Sequence, residues 1–315
     1  MTEQLHEMLA FVLENDAGLT PGKSRSVASH FADIKDFLNA KKKDLKNITG
    51  VSGRRAINLS EEEISRILEV KKKGCIDKNA DVSDNFLSAI SRAFTKRQLD
   101  MIRSLNLDNL NPNPFLIKTL NLHTPEEVVR LNVYMVATRS IVTSMGFFVE
   151  RLLLASSKTA ERAPRKSGWD LVKTDDKSNV HWIQVKSGPN DMDKDQIVYW
   201  SEKIQEKIDG GDKAYIGITY GKRTNNTVTF GIMKQLLPDW ELRTLIGREL
   251  WDFISDDPKY HTRLFKTLRK AAEQILQTHS ICEEIESCIE RVRTEFIETY
   301  GSGNKGVTKY IDEIF

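Results

Sequence analysis

The segment GWDLVKTDDKSNVHWIQVKSG, residues 168–188, predicts a β-hairpin. An acid, Asp170, opens the first strand, a polar turn follows, and the second strand carries Gln184 and Lys186. Residues two apart on a strand point to the same face. Gln184 and Lys186 can therefore share one pocket with Asp170, while Val185 points into the core.

The hairpin groups residue types that suit hydrolysis of a phosphate ester. A carboxylate and an amide oxygen can hold a hard divalent cation such as Mg²⁺. A lysine can orient or deprotonate an attacking water and offset charge on the phosphate. The pattern is short, so a polar hairpin with an exposed edge lysine is the alternative. The strand HWIQVKSG runs directly into a Ser-Gly-Pro-Asn turn, which argues against a continuing edge.

A long apolar helix is predicted immediately before this hairpin, over residues 128–157. Glu150 lies deep within its apolar stretch, where an acid is costly unless it has a partner such as a metal or a base. We expect Glu150 to assist at the site through a bound water or a second metal. The alternatives are a salt bridge to Arg151 or Arg139, or exposure on the helix surface.

The acid, the amide and the lysine together resemble the motif of the PD-(D/E)XK nuclease superfamily. More narrowly, residues 111–260, roughly half of the chain, resemble type II restriction endonucleases of the EcoO/Pfo kind. The segments that carry the resemblance are NPNPFLIKTLNL, ATRSIVTSMGFFVERLL, WDLVKTDDKSNVHWIQVKSGPNDMDKDQ, IGITYGKRTNNTV and LIGRELWDFISDD.

The resemblance implies an α/β fold in which a mixed sheet is flanked by helices. It also implies Mg²⁺-dependent hydrolysis of phosphodiester bonds in double-stranded DNA at a specific site. A homodimer is expected for a palindromic target, because a two-fold protein matches a two-fold site. By resemblance that target is a GG…CC palindrome with an interrupted centre. The implied catalytic residues are Asp170, Gln184, Lys186 and Glu150, and the implied metal ligands are Asp170, Gln184 and Glu150.

Gln184 departs from the family pattern, which usually has Glu or Asp at this position. An amide supplies a neutral oxygen, so the site loses one negative charge. Glu150, Asp175 or Asp176 can restore that charge, or the metal binds more weakly. Two rival functions follow: a structure-selective repair nuclease or junction resolvase, and a DNA-binding protein without catalysis.

Composition sets broad limits on the class of protein. The 315 residues are 39% hydrophobic and 29% charged, which is typical of a globular protein with two domains or one large domain with an appendage. No run of eighteen apolar residues and no secretory signal is present, so neither a membrane partner nor export is expected. Three scattered cysteines predict free thiols in a reducing cytoplasm. The sequence contains no Gly-rich loop of the kind that binds nucleotides, so no nucleotide cofactor is expected.

The formal net charge of +2 conceals a basic amino-terminal segment. Residues 19–73 contain 13 Lys and Arg against 7 Asp and Glu. Such an excess favours contact with a polyanion, and nucleic acid is the natural partner.

The same segment resembles a tandem helix-hairpin-helix domain of DNA repair and replication proteins. Gly50 and Gly53 permit a tight turn that exposes backbone N–H groups to phosphate at a helix start. The segment around Lys23 resembles a degenerate first copy. An ordinary helical turn with a glycine cap is the alternative. The predicted DNA-binding residues, with three from later turns, are Lys23, Arg25, Lys46, Gly50, Gly53, Arg54, Arg55, Asn190, Lys222 and Arg223.

We therefore predict three parts. Residues 1–75 form a small all-α, helix-hairpin-helix-like DNA-binding domain, residues 76–112 a helical linker, and residues 113–315 a restriction-endonuclease-like catalytic domain. Within the last part, residues 211–233 predict two β-rich runs around a Thr-Asn-Asn turn that extend the sheet. An amphipathic helix near the carboxyl end predicts packing or a dimer interface.

Overall fold

The structure is a computed structural model, and it describes residues 2–46, 48, 57–224, 227–237, 239–277 and 279–315. Helices dominate these residues. They are α1 (Thr2–Asn15), α2 (Pro21–Ala28), α3 (Ile34–Asn39), α4 (Lys42–Leu45), α5 (Glu61–Lys72), α6 (Val82–Ser104), α7 (Leu107–Leu110), α8 (Pro114–Thr119), α9 (Pro125–Ser156), α10 (Lys194–Asp209), α11 (Val228–Leu236), α12 (Trp240–Arg243), α13 (Arg248–Ser255), α14 (Tyr260–Leu276), α15 (Ile281–Tyr300) and α16 (Gly303–Ile314).

A five-stranded mixed sheet carries the predicted hairpin. Its strands lie in chain order as β1 (Ala160–Arg162), β2 (Leu171–Thr174), β3 (Val180–Lys186), β4 (Lys213–Ile218) and β5 (Thr244–Ile246). The pairs β1–β2 and β2–β3 are antiparallel, whereas β3–β4 and β4–β5 are parallel. This arrangement confirms the α/β fold and the mixed sheet flanked by helices.

The hairpin is the one predicted from residues 168–188. Leu171 of β2 lies opposite Ile183 of β3, and Thr174 lies opposite Val180 beside the turn. Asp175 closes that turn by accepting hydrogen bonds from the backbone N–H groups of the turn. The polar turn therefore fixes the register of the two strands.

Strand β3 presents different residues to its two faces. Ile183 and Val185 pack into one hydrophobic cluster, together with Leu171 and Leu250. Trp182 packs into another cluster on the opposite face, which includes Trp200 of α10 and Ile216 of β4. The prediction that Val185 points into the core is confirmed, and Gln184 and Lys186 share the face of Trp182.

The predicted second β-rich run within residues 211–233 is wrong, because α11 occupies it. Thr227 caps this helix by accepting a hydrogen bond from the Phe230 backbone N–H. Phe230 and Met233 are buried on one face of the helix. Tertiary packing of an amphipathic helix outweighs the β propensity of Val, Thr, Phe and Ile here. Asn225 and Asn226 of the predicted turn lie outside the described residues.

The chain folds into two compact units whose bounds differ from the predicted domains. The first comprises Met1–Ala93 with Gly146–Ala271, and the second comprises Phe94–Met145 with Ala272–Phe315. In the first unit, Leu9 and Phe37 from the amino-terminal helices belong to the same hydrophobic cluster as Ile183 of the sheet. Residues 1–75 thus bury their apolar side chains in a core shared with the sheet, which composition alone does not reveal.

The second unit has a hydrophobic core of its own. Val129 and Val133 of α9 pack there with Ile289, Val292 and Phe296 of α15. The amphipathic stripe predicted near the carboxyl end therefore serves packing within this unit.

The predicted helix-hairpin-helix turn cannot be followed in the structure. Residues 49–56, with both of its glycines and arginines, lie outside the described residues, and the neighbouring helices are α4 and α5. The two predicted DNA-binding lysines of this amino-terminal segment are described, and both form ion pairs. Lys23 contacts Glu63 at 2.7 Å, and Lys46 contacts Glu61 at 2.5 Å.

None of the helices in the described part of the chain combines the length and apolar character that a membrane span requires. Cys75, Cys282 and Cys288 are described as free thiols.

Candidate active site

Asp170 lies one residue before β2 and is held by both neighbouring strands. Its carboxylate Oδ2 accepts a hydrogen bond from the Val185 backbone N–H at 2.7 Å, and its carbonyl accepts one from the Ala163 N–H at 3.0 Å. Burial raises the pKa of Asp170, opposed by the Val185 hydrogen bond and by the charges of Lys186 and Arg162. The carboxylate is therefore fixed beside β3 at an energetic cost that a cation could relieve.

Gln184 carries a buried side-chain oxygen. The residue is 8% exposed, and its side-chain oxygen Oε1 has no hydrogen-bond partner among the described residues. Buried polar atoms are nearly always hydrogen-bonded, so an orphaned oxygen calls for a ligand or a water. A cation beside Asp170 would satisfy it.

Lys186 stands at the end of β3, on the same face as Gln184. Its ammonium Nζ donates a hydrogen bond to the Gln196 side-chain oxygen at 3.1 Å. Gln196 lies in the first turn of α10. The side chain of Asp193 caps this helix by accepting a hydrogen bond from the Gln196 backbone N–H at 2.8 Å. Helix α10 therefore positions the Lys186 ammonium through Gln196. The sequence offered no signal for this role of Gln196, because only the fold brings α10 to β3.

Glu150, in the last part of α9, forms an ion pair at 2.7 Å with Arg162 of β1. The glutamate side chain is 15% exposed. Burial raises the pKa of Glu150, opposed by Arg162 and reinforced by the negative charge of Asp170. The charges of Glu150 and Asp170 therefore influence each other. Its salt-bridge partner is neither Arg151 nor Arg139, the two considered from sequence.

Arg162 is a member of this cluster that the sequence did not reveal. It ends a three-residue edge strand and pairs with Leu171 of β2, and its charge opposes the rise in the pKa of both Asp170 and Glu150. Nothing in the local sequence Ala-Glu-Arg marks it as a site residue.

Asp175, considered as a replacement for the missing acid, has other partners. Its carboxylate accepts hydrogen bonds from Asn179 Nδ2 at 2.8 Å and from the Lys177 N–H at 2.9 Å, and it contacts His181 Nε2 at 3.1 Å. These contacts hold its pKa well below the ordinary range, with Asn179 as the main cause. The Asp175 carboxylate therefore stabilises the hairpin turn.

A family profile, that of the type II restriction endonuclease EcoO109I, matches residues 81–275. The match covers more than half of the chain and includes all five strands, the hairpin and α9. The chain belongs to this family. A comparison with curated proteins gave no match. As a type II restriction endonuclease it is a DNA-binding deoxyribonuclease that hydrolyses DNA phosphodiester bonds, which confirms the activity implied by the resemblance.

Restriction endonucleases of this family usually use a divalent metal, and the residues present fit one. Within the described residues, no group of three or more His, Cys, Asp or Glu side chains is arranged to hold a metal. The donor set here is mixed instead. Asp170 could supply a carboxylate, Gln184 its buried amide oxygen, and Glu150 a second carboxylate that Arg162 now engages. Oxygen ligands of this kind suit Mg²⁺, which also keeps several waters.

The residues predicted to bind DNA have differing surroundings in this endonuclease. Arg223 is held by its own unit: it donates to Thr244 Oγ1 at 2.7 Å, pairs with Glu249 and stacks on Trp240. Arg25 donates to the Pro21 carbonyl at 3.2 Å. Asn190 is exposed in the turn after β3. Lys222 lies beside Arg223, and the remaining residues, Gly50, Gly53, Arg54 and Arg55, lie outside the described residues.

Proposed function

We infer that this restriction endonuclease cuts double-stranded DNA at a specific sequence in a Mg²⁺-dependent reaction. Asp170 and Gln184 hold the cation, Lys186 acts on the attacking water, and Glu150 assists. The observation that carries the proposal is the buried side-chain oxygen of Gln184, which no described residue hydrogen-bonds. It lies on the same strand face as Lys186, while Asp170 is hydrogen-bonded to the residue between them.

The protein's own groups divide the work of hydrolysis. The Val185 N–H fixes one oxygen of Asp170, which leaves the other oxygen to face the cation. The Lys186 ammonium, steered by Gln196, hydrogen-bonds the water and offsets charge on the phosphate as the P–O bond of the leaving group breaks. When bound, Mg²⁺ supplies positive charge to the phosphate oxygens and lowers the pKa of the water.

Specific cutting implies an assembly and a recognition surface. A homodimer suits a palindromic site, since two copies related by a two-fold axis present the same contacts to both half-sites. An interrupted GG…CC palindrome is the target suggested by resemblance. The basic segment 19–73 adds salt-sensitive contacts to DNA phosphates. The cytoplasm is the expected compartment.

The test is incubation of the purified protein with unmethylated phage DNA, with Mg²⁺ and with EDTA. Discrete fragments only with Mg²⁺ are expected, and sequencing their ends gives the site. Protein carrying Asp170→Asn, purified in the same way, is the control for contaminating nucleases and should leave the DNA intact. A smear would favour a structure-selective repair nuclease, and binding without cutting under all conditions would overturn the catalytic proposal.

A further inference from the structure

Arg162 and Glu150 form an ion pair of unequal exposure. Their 2.7 Å contact joins an arginine side chain that is 56% exposed to a glutamate side chain that is 15% exposed. A guanidinium at this position is the member of the pair that solvent, or a DNA phosphate, can reach. The carboxylate behind it belongs to Glu150, one of the residues proposed to assist at the metal site.

The charge of Arg162 acts on more than one carboxylate. Burial raises the pKa of Glu150, of Asp170 and of Glu7 in α1, and Arg162 is among the opposing charges at all three. Arg151 also opposes the rise at Glu150 and Glu7, and Lys186 opposes it at Asp170. The positive charge of Arg162 thus acts on both carboxylates that are proposed to serve the metal site, Asp170 and Glu150.

We propose that Arg162 is a positioning residue that exchanges between Glu150 and a DNA phosphate, so that DNA binding frees Glu150 for the metal ion. The inference rests on the proposed metal site at Asp170 and Gln184. It implies that binding of DNA and binding of the divalent cation are coupled through Arg162 and Glu150.

Competition for one carboxylate gives the coupling its direction. A cation approaching Glu150 meets a guanidinium that already holds an oxygen of the carboxylate and repels the new charge. If Arg162 moves away and no cation takes its place, the carboxylate of Glu150 is left unpaired. An unpaired charge is unfavourable for a group as buried as Glu150. A DNA phosphate can accept two hydrogen bonds from the Arg162 guanidinium, at least as strong as those it makes to the Glu150 carboxylate. DNA therefore lowers the cost of metal binding, and by linkage the metal tightens DNA binding by the same factor.

The experiment measures metal binding directly. Free Mn²⁺ is followed by electron paramagnetic resonance during titration of the protein, alone and with a duplex containing the cleavage site, after correction for Mn²⁺ bound by the duplex. All proteins carry Lys186→Ala, so that the DNA stays intact. In this reference protein we expect DNA to tighten Mn²⁺ binding by about 5- to 150-fold, the usual span of coupling between two sites.

Arg162→Gln should bind Mn²⁺ more tightly than the reference in the absence of DNA, and DNA should then change that affinity by less than about threefold. Arg162→Lys, which keeps the charge, should retain part of the coupling. Arg165→Gln removes the same charge from an exposed position in the following turn. It should alter DNA affinity at most and keep the full coupling.

Equal coupling in Arg162→Gln and Arg165→Gln, with Mn²⁺ binding still abolished by Asp170→Asn, would overturn the role of Arg162 and leave the proposed function standing. Mn²⁺ binding that is absent, or indifferent to Asp170→Asn, would overturn the metal site and the inference together.

Discussion

Gln184 is the residue at which this chain departs from its family's usual acid, and its buried oxygen makes the departure testable. Gln184→Glu adds a carboxylate at a position where the amide oxygen has no hydrogen-bond partner in the described part of the chain. Because affinity for hard cations rises with ligand charge, Mn²⁺ binding should tighten by about tenfold or more. Without a cation the same change buries an unpaired charge and lowers the midpoint of thermal unfolding.

The measurement is thermal unfolding in EDTA and in Mg²⁺. The increase in unfolding temperature caused by Mg²⁺ should be larger for Gln184→Glu than for the parent. It should shrink for Gln184→Met, which keeps the volume and removes the oxygen. A methionine variant that responds to Mg²⁺ like the parent would exclude Gln184 as a ligand.

Lys186 carries the second residue-scale prediction. Removing its ammonium with Lys186→Ala should reduce single-turnover cleavage by roughly 10²–10⁴-fold, the usual contribution of a proton-transfer or water-positioning group. DNA affinity should stay close to that of the parent. Lys177→Ala removes an exposed lysine from the turn of the same hairpin and is the matched control. Unchanged cleavage by Lys186→Ala would remove the lysine from the mechanism.

At the scale of the element, the β2–β3 hairpin depends on the carboxylate of Asp175. Its hydrogen bonds from Asn179 and its contact with His181 lower its pKa. A lowered pKa stabilises the fold at pH values above the ordinary Asp range, and this stability is lost as the pH falls through the folded-state pKa. Asp175→Asn should therefore lower the unfolding temperature most at neutral pH, and the deficit should shrink in acid.

Unfolding of the two proteins across the pH range measures this deficit. Asp176→Asn changes the exposed neighbouring carboxylate and should have little effect at any pH. A deficit for Asp175→Asn that is constant with pH would show that the carboxylate's charge does not stabilise the turn.

Strand β4 depends on a glycine for its packing. A Cβ atom at Gly217 would lie 2.9 Å from Leu250 Cδ1 and 3.0 Å from Ile183 Cγ2, both in the core under the site. Gly217→Ala should destabilise the protein by about 1–3 kcal/mol, because an overpacked core must shift its neighbours. Urea unfolding measures the loss. Gly231→Ala, in α11 with no atom within 4 Å of the added Cβ, should be neutral or slightly stabilising. Equal midpoints for the two variants would contradict the argument.

The elements also show what the sequence could and could not predict. The hairpin and the faces of β3 follow from a two-residue alternation that the structure keeps, so the common face of Gln184 and Lys186 could be predicted from sequence. Arg162 could not, because a three-residue strand gains its position only from its neighbour β2. The second β-rich run predicted within residues 211–233 is instead the helix α11, because burial of one helical face decides its structure.

For the whole molecule, the family match and the compact units divide the chain differently. The match begins at residue 81, whereas the first unit contains both the amino-terminal helices and the sheet. Because Leu9 and Phe37 share a hydrophobic cluster with Ile183, deleting residues 1–80 would expose the core beneath the hairpin. The contribution of this segment to DNA binding has to be tested with surface substitutions rather than by truncation.

The salt dependence of DNA binding provides that test. Each phosphate contact made by Arg54 or Arg55 adds about 0.9 to the slope of log K against log salt concentration. Arg54→Ala with Arg55→Ala should weaken binding to all sequences and reduce the slope by up to about 2. Lys23→Ala with Lys46→Ala removes the same charge, but both lysines are ion-paired with glutamates, so the slope should fall less. Fluorescence anisotropy over a range of salt concentrations measures both slopes.

The two outcomes that would contradict this prediction point in different directions. A loss of affinity confined to the cleavage-site duplex would make the arginine pair part of sequence recognition, since contacts to phosphates carry no base information. An unchanged slope would remove residues 54 and 55 from the DNA interface. The non-specific affinity would then have to come from the basic residues of the nuclease core itself, because counterion release requires some set of cations to neutralise phosphates.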